Sequence, residues 1–154
     1  MTADPFLRDD FRVLTPEAFD FVLNNELKRA VRSQNYLTLV LAEPRAEGRE
    51  PQDAVQELAR LIMREIRETD LVSASPDGRL SMVLLDADLQ NSMRVIDRLL
   101  ARLEHYQFPS PLAIEFGAAC CPTHGSDPET LRRAAAARPM TPRREPRSNS
   151  SNAQ

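Results

Sequence analysis

Histidine and cysteine are scarce in this chain, with two of each among 154 residues. Neither His105 nor His124 sits in a context that suggests a Ser-His-acid triad, which excludes a hydrolase of that kind. Cys120 and Cys121 are neighbours, and adjacent residues do not readily meet disulfide geometry, so the pair suits a reducing compartment. Cys120-Cys121-Pro122-Thr123-His124 holds three soft ligands, yet a closed zinc site needs a fourth and none is near, so no metal is expected. His105 is expected at a helix C-terminus, where the helix dipole accounts for it. Long hydrophobic runs are missing as well. The most apolar segment, Leu37 to Ala42, is far short of the ~20 residues of a membrane span, and the N-terminus has no basic region followed by an apolar stretch. The expected location is the cytoplasm. An excess of positive charge is also lacking: the net charge of −3 argues against a general nucleic-acid binder, because phosphate contacts need a basic field. Lysine is reduced to Lys28 against nineteen arginines, a bias that we attribute to a GC-rich genome and give no functional weight.

What is present fits one ordinary domain with a real core. Arg138, Arg143, Arg144 and Arg147 against Glu145 leave +3 on residues 138–154, so the overall −3 puts −6 on the rest: an acidic body wears a basic tail. Residues 1–11 read as a flexible leader, 12–137 as the domain, and 138–154, rich in Pro, Arg, Ser and Asn, as a disordered tail. Such a tail could meet an acidic partner or lipid, but most are merely flexible.

Thr15 as N-cap with Pro16 at the first helical position, followed by Phe19, Leu23, Leu27 and Ala30, predicts a helix over about 16–33. Residues 36–42 read as a strand buried on both faces, and 43–50 as a polar loop. Pro51 opens a second helix with its apolar stripe on Ala54, Val55, Leu58, Leu61, Ile62 and Ile66, ending near Thr69. Strands over 71–74 and 80–85 flank Ser75-Pro76-Asp77-Gly78, turn chemistry that predicts a β-hairpin. Asp86 and Asp88 are expected to cap a third helix, ending around 105–108, a strand follows over 112–120, and a short helix over 130–137 starts from Asp127-Pro128-Glu129. The order α-β-α-β-β-α-β-α predicts an α+β sandwich, one sheet covered by helices.

This order, and several strings along it, resemble the GGDEF family of bacterial diguanylate cyclase domains. Leu14-Thr15-Pro16-Glu17-Ala18-Phe19 with Glu26-Leu27-Lys28-Arg29-Ala30 is similar to the family's opening helix. Arg67-Glu68-Thr69-Asp70-Leu71-Val72 is similar to the Arg-x-x-Asp before the signature hairpin, Val83-Leu84-Leu85 to the strand after it, and Phe116-Gly117-Ala118-Ala119 with Pro122 and Gly125 to the fourth strand and its exit loop. The resemblance implies a GGDEF-like α/β sandwich with a central mixed sheet of about four to five strands covered by helices. It does not extend to the catalytic parts. Where the family's hairpin supplies carboxylates for divalent metal, this chain has Pro76-Asp77-Gly78-Arg79-Leu80, and a guanidinium repels such an ion. Glu43 is the candidate to replace the metal-ligand Asp at the end of the first strand, but Pro44 and Arg45 replace the rest of that run. The guanine-holding stretch is compressed into 43–50, and the late Ala-Asp … Tyr-x-Ala-Lys helix is reduced to Ala134-Ala135-Ala136-Ala137-Arg138. The expectation is a domain without cyclase activity.

The Arg-x-x-Asp element, in this family, resembles an inhibitory or product-binding site for cyclic di-GMP. Arg can donate two parallel hydrogen bonds to guanine O6 and N7, while a carboxylate accepts from N1–H and the N2 amine. With nineteen Arg and eleven Asp, roughly one or two such strings arise by chance. A second exists at Arg94-Val95-Ile96-Asp97, and an ordinary ion pair between residues three apart is the default account. Placement directly upstream of the hairpin lifts Arg67 and Asp70 above it. The family's site is often completed by an Arg on the third helix; Arg98 falls at the expected distance, with Arg94 and Arg102 as competitors one turn away. The resemblance therefore implies a cyclic di-GMP receptor or effector with Arg67, Asp70 and Arg98 as ligand contacts, no cofactor, a ligand bound as an intercalated pair that would favour dimerisation, and a protein partner. A rival reading keeps the fold as a nucleotide-independent interaction scaffold. Arg79 could meet a phosphate, but an Arg flanking an exposed turn is more often solvated.

Overall fold

The computed structural model describes residues 7–8, 13–45, 48, 50–104, 113–137 and 139–140. The elements in chain order are β1 (Leu7–Arg8), β2 (Val13–Leu14), α1 (Pro16–Ser33), β3 (Leu37–Arg45), α2 (Pro51–Met63), β4 (Leu71–Ala74), β5 (Leu80–Leu85), α3 (Leu89–Glu104), β6 (Ala113–Cys121), α4 (Pro128–Ala136) and β7 (Pro139–Met140). One mixed sheet runs in the order β1-β2-β4-β5-β3-β6-β7. Five strands, β2 to β6, form its body, as expected, and the two-residue strands β1 and β7 extend the edges. β2 lies parallel to β4; every other pairing is antiparallel.

The period-2 alternation of strand side chains sorts the core into two layers. Along β3, Leu37 and Leu39 face α1 and α4, where they meet Phe19, Leu23, Leu27, Leu131 and Ala135. Val40 and Ala42 face α2 and α3, where Val55, Leu58, Ile62, Ile96 and Leu99 close over them. Each such Leu, Ile or Phe, taken fully out of water, contributes about 1.5–3 kcal/mol relative to exposure, so β3, covered on both faces, is the centre of the molecule. Its one buried polar side chain, Thr38, is satisfied by donating Oγ1–H to the Ala87 carbonyl at 2.9 Å. That bond ties β3 to the turn between β5 and α3.

Local signals account for most element boundaries. Thr15 caps α1 by accepting from the Ala18 N–H at 3.2 Å, and Asp127 caps α4 by accepting from the Thr130 N–H at 2.9 Å. Bonds from the Thr130 N–H and hydroxyl hold the Asp127 carboxyl below the usual carboxylate range. Of the two aspartates before α3, Asp88 is the cap, its Oδ1 accepting from the Asn91 N–H at 2.8 Å, whereas Asp86 takes the left-handed conformation (φ 55°) that turns the chain out of β5. Gly78 supplies the positive φ of 93° that closes the β4–β5 hairpin, with Gly78 N–H on the Ser75 carbonyl at 3.1 Å.

Four expectations are corrected. Residues 43–45 are strand, not loop: β3 runs on opposite β6 as far as Arg45↔Ala113, while its pairing with β5 stops at Ala42↔Leu80. Pro44 therefore sits where β3 has become an edge, the place a sheet tolerates a residue without N–H. α2 ends at Met63 rather than near Thr69, and residues 64–70 form a turn. β2 was absent from the sequence reading, because a two-residue strand carries no periodicity. Leu7–Arg8 and Pro139–Met140, assigned by composition to a leader and a disordered tail, are paired strands, Met140 opposite Phe116 and Pro139 opposite Gly117. The remainder of leader and tail, and the expected helix end at His105, lie outside the described residues.

Candidate functional site

The turn 64–70 leads from α2 into β4, directly before the hairpin. Arg67 and Asp70 meet there, though not on a helix. Asp70 is buried, its side chain only 4% exposed against 60% for Arg67. Its Oδ2 accepts from the Arg67 main-chain N–H at 3.1 Å, and its Oδ1 accepts from the Leu85 N–H at 3.1 Å and from Arg67 Nη2 at 3.4 Å. Arg67 Nη2 also donates to the Leu85 carbonyl. This explains the early end of α2: an aspartate that captures a nearby main-chain N–H offers the backbone an alternative to the helical bond. The same carboxylate fastens the turn to the last residue of β5.

Arg98 reaches the same turn at another point. It donates from Nη2 to the Glu65 carbonyl at 2.9 Å, and its Nε lies 3.8 Å from Glu65 Oε1. Arg102, a competitor for that role in the sequence, stands one helical turn on and shares the same carboxylate at 3.7 Å. The Arg98 and Arg102 side chains are 50% and 67% exposed, while that of Glu65 is 17% exposed. Glu65 is thus an internal counterion that holds two guanidinium groups from α3 beside the turn that carries Arg67. Sequence reasoning missed two participants. Glu65 had one signal, the four-residue spacing of Arg98 and Arg102, which invites a shared anion; Leu85 had none, because it acts only through its main chain.

A second feature is an open cleft of about 570 Å³ at the hairpin end of the sheet, between the strand ends and α4. Glu43 and Glu115 lie opposite each other in register on its floor, and Arg79, Arg132 and Arg133 stand around it. Four of these charges have local counterions: Glu43 pairs with Arg45 at 3.9 Å, Arg79 with Asp77 at 4.0 Å, Arg133 with Glu129 at 3.8 Å, and Arg132 with Asp20.

The backbone is similar to solved GGDEF domains. The isolated GGDEF domain of YfiN (TpbB) from Pseudomonas aeruginosa superposes with a TM-score of 0.73 at 19% identity, 84% of each chain covered. That of DgcB from Caulobacter crescentus, solved in complex with c-di-GMP, has a TM-score of 0.75 at 14% identity, over 89% of this chain and 87% of that one. A DGC protein from Thermotoga maritima has a TM-score of 0.72 at 14% identity, over 89% of this chain and 100% of that one. The fold is that of a GGDEF domain. No protein-family model matches the sequence, and no curated protein matches it either.

A GGDEF-like fold implies a divalent metal at the hairpin, and the donor set here does not fit one. Gly78 brings no side chain, Arg79 brings a cation, and Glu43 is engaged by Arg45. Among the described residues, no group of three or more His, Cys, Asp or Glu side chains is placed to hold a metal ion. Cys120 and His124 make a structural turn instead: the Cys120 N–H donates to His124 Nδ1 at 2.9 Å, and the His124 N–H to the Cys120 carbonyl at 2.7 Å. Both thiols are buried, and burial followed by the neighbouring Cys120 pushes the Cys121 thiol up. A thiol reagent at neutral pH should therefore label neither cysteine in the native protein and both in denaturant, by absorbance of the released chromophore; rapid native labelling would contradict the burial. Among the described residues, no helix is long and apolar enough to cross a membrane.

Proposed function

We propose that the chain is a catalytically inactive GGDEF-like domain that binds cyclic di-GMP and, by doing so, regulates a protein partner. The observation that carries this reading is the arginine-bearing turn itself. Arg67 projects from the segment immediately before the hairpin, and Arg98 is fastened to that segment through Glu65. Exposed guanidinium groups held in place by internal acceptors are preorganised for the O6 and N7 atoms of guanine and for phosphate oxygens. Support comes also from the complex of the DgcB domain with c-di-GMP. Loss of catalysis is the reading of the hairpin, where Gly78 and Arg79 occupy the place at which carboxylates would hold metal.

The deep burial of Asp70 favours a second reading, in which the Arg67–Asp70 pair is only a structural clasp and the domain is a nucleotide-independent scaffold. Thermal melting separates the two. A ligand at ~100 times its Kd adds about 2.7 kcal/mol to the folded state, so cyclic di-GMP should raise Tm by several degrees. An unchanged Tm at high micromolar ligand would sink the receptor reading and leave the scaffold.

A further inference from the structure

We infer that the outer face of α1 is a self-association surface on which a second copy of this chain docks antiparallel, so that Phe21 of each copy meets Val31 of the partner subunit. The inference goes beyond the receptor reading and does not depend on it.

α1 turns Phe19, Leu23, Leu27 and Ala30 into the core, which places Phe21 on the opposite side of the helix, 63% exposed. Val31, near the end of the same helix, is 51% exposed. Singly, either would be ordinary surface; their spacing sets them apart. Phe21, Asn24, Lys28 and Val31 follow one another at three, four and three residues, the repeat of a heptad seam, which keeps one stripe of a helix against another helix. All four are exposed. Charge then decides the direction. The acids Glu17 and Asp20 lie in the first part of α1, and the bases Lys28, Arg29 and Arg32 in the last. Asp20 pairs with Arg132 of α4 and Arg29 with Glu26, whereas among the described residues Glu17, Lys28 and Arg32 have no ion-pair partner. A parallel pair of helices would stack Lys28 beside Lys28 and Arg32 beside Arg32. An antiparallel pair brings the acidic start of one copy alongside the basic end of the other and sets the two helix dipoles in opposition. It also makes the contacts reciprocal, as a twofold axis requires: Phe21 meets Val31 of the partner subunit, and the Asn24 side-chain oxygen can accept from the partner's Lys28. Two apolar layers at the ends and two polar layers between them make a small contact, below the roughly 1,000 Å² of a stable complex, so the association is weak. α1 and α3 cover opposite faces of the sheet, and the pair leaves Arg98 exposed in both copies.

The test is sedimentation equilibrium of the full chain, without nucleotide, between about 10 µM and about 1 mM. The average mass should climb from 17.4 kDa toward twice that value, with a dimer Kd of about 0.1 mM at low salt, and about 0.5 M salt should weaken the pair several-fold by screening its charges. Phe21→Lys, a change in solvent that should leave Tm unaltered, puts a cation beside the basic end of the partner and should raise the Kd by at least about tenfold. Orientation is read by oxidative cross-linking, which the buried Cys120 and Cys121 do not enter. An equal mixture of Asn24→Cys and Lys28→Cys should form disulfide-linked dimers faster than either variant alone, because only the mixed pair brings the two sulfurs together across the seam. A chain that stays monomeric at about 1 mM, or a dimer whose Kd is the same in Phe21→Lys, overturns the inference and leaves this face to a different protein or to solvent. Faster cross-linking of each variant with itself than in the mixture overturns the antiparallel order, and the inference with it.

Discussion

Arg67→Ala is expected to weaken cyclic di-GMP binding by about a hundredfold or more while leaving the fold nearly as stable as before. Hydrogen bonds from a charged donor are worth about 1.5–3 kcal/mol each, so under the proposed function the loss of even two of them to a ligand would account for that factor. The stability cost is small because the Arg67 side chain is 60% exposed, and an ion pair screened by solvent contributes about 0–1 kcal/mol. Titration calorimetry and melting on the same variant separate the two effects. Arg98→Ala should lie between wild type and Arg67→Ala, since Arg98 acts from a neighbouring element and part of its bonding goes to the Glu65 carbonyl. Arg94→Ala, at the chance repeat of the motif, should bind as the wild type does. Binding unchanged in Arg67→Ala would remove the turn from the ligand site.

Asp70→Ala should produce the opposite profile, a large loss of stability. Truncation leaves the main-chain N–H groups of Arg67 and Leu85 without their acceptor at a site where Asp70 itself is 6% exposed. A buried donor deprived of its partner costs about 1–3 kcal/mol. With two of them, and the half-exposed ion pair counted as minor, the loss is about 2–6 kcal/mol. Against a total of about 5–15 kcal/mol for an ordinary domain, that is a substantial fraction, and chemical denaturation should show a lower midpoint. An unfolding free energy within about 0.5 kcal/mol of wild type would mean that the Asp70 bonds are not made in solution.

The contrast between these two residues shows how far the site was legible before the structure. Four-residue patterns such as Arg67 to Asp70 tell which side chains can meet but not what else they meet. Asp70 was read for a base alone, and the pattern gave no sign that it also accepts from the main chain of Leu85, fifteen residues on, because the hairpin folds the end of β5 back beside the turn. Arg98 was one of three candidates on α3, and periodicity could not rank them. The fold separates two of them from Arg94: Arg98 and Arg102 pair with the one carboxylate of Glu65 at 3.8 and 3.7 Å.

The amino-acid sequence by itself determined the elements with strong local chemistry. α1 spans Pro16–Ser33, as the cap at Thr15, Pro16 and the apolar stripe require, and the hairpin strands Leu71–Ala74 and Leu80–Leu85 follow from alternation broken by Pro-Asp-Gly. It also carried the resemblance from which the GGDEF-like fold could be expected. Tertiary structure alone decided the rest. Strands of two residues, at Val13–Leu14 and Pro139–Met140, exist only because a neighbouring strand supplies their hydrogen bonds. The extension of β3 through Pro44 depends on β6 lying alongside after β5 has ended, and the end of α2 depends on an aspartate seven residues beyond it. Local chemistry acts within a helical turn or a hairpin loop and is written in adjacent residues. Pairing and side-chain capture act between segments that only the folded chain brings together.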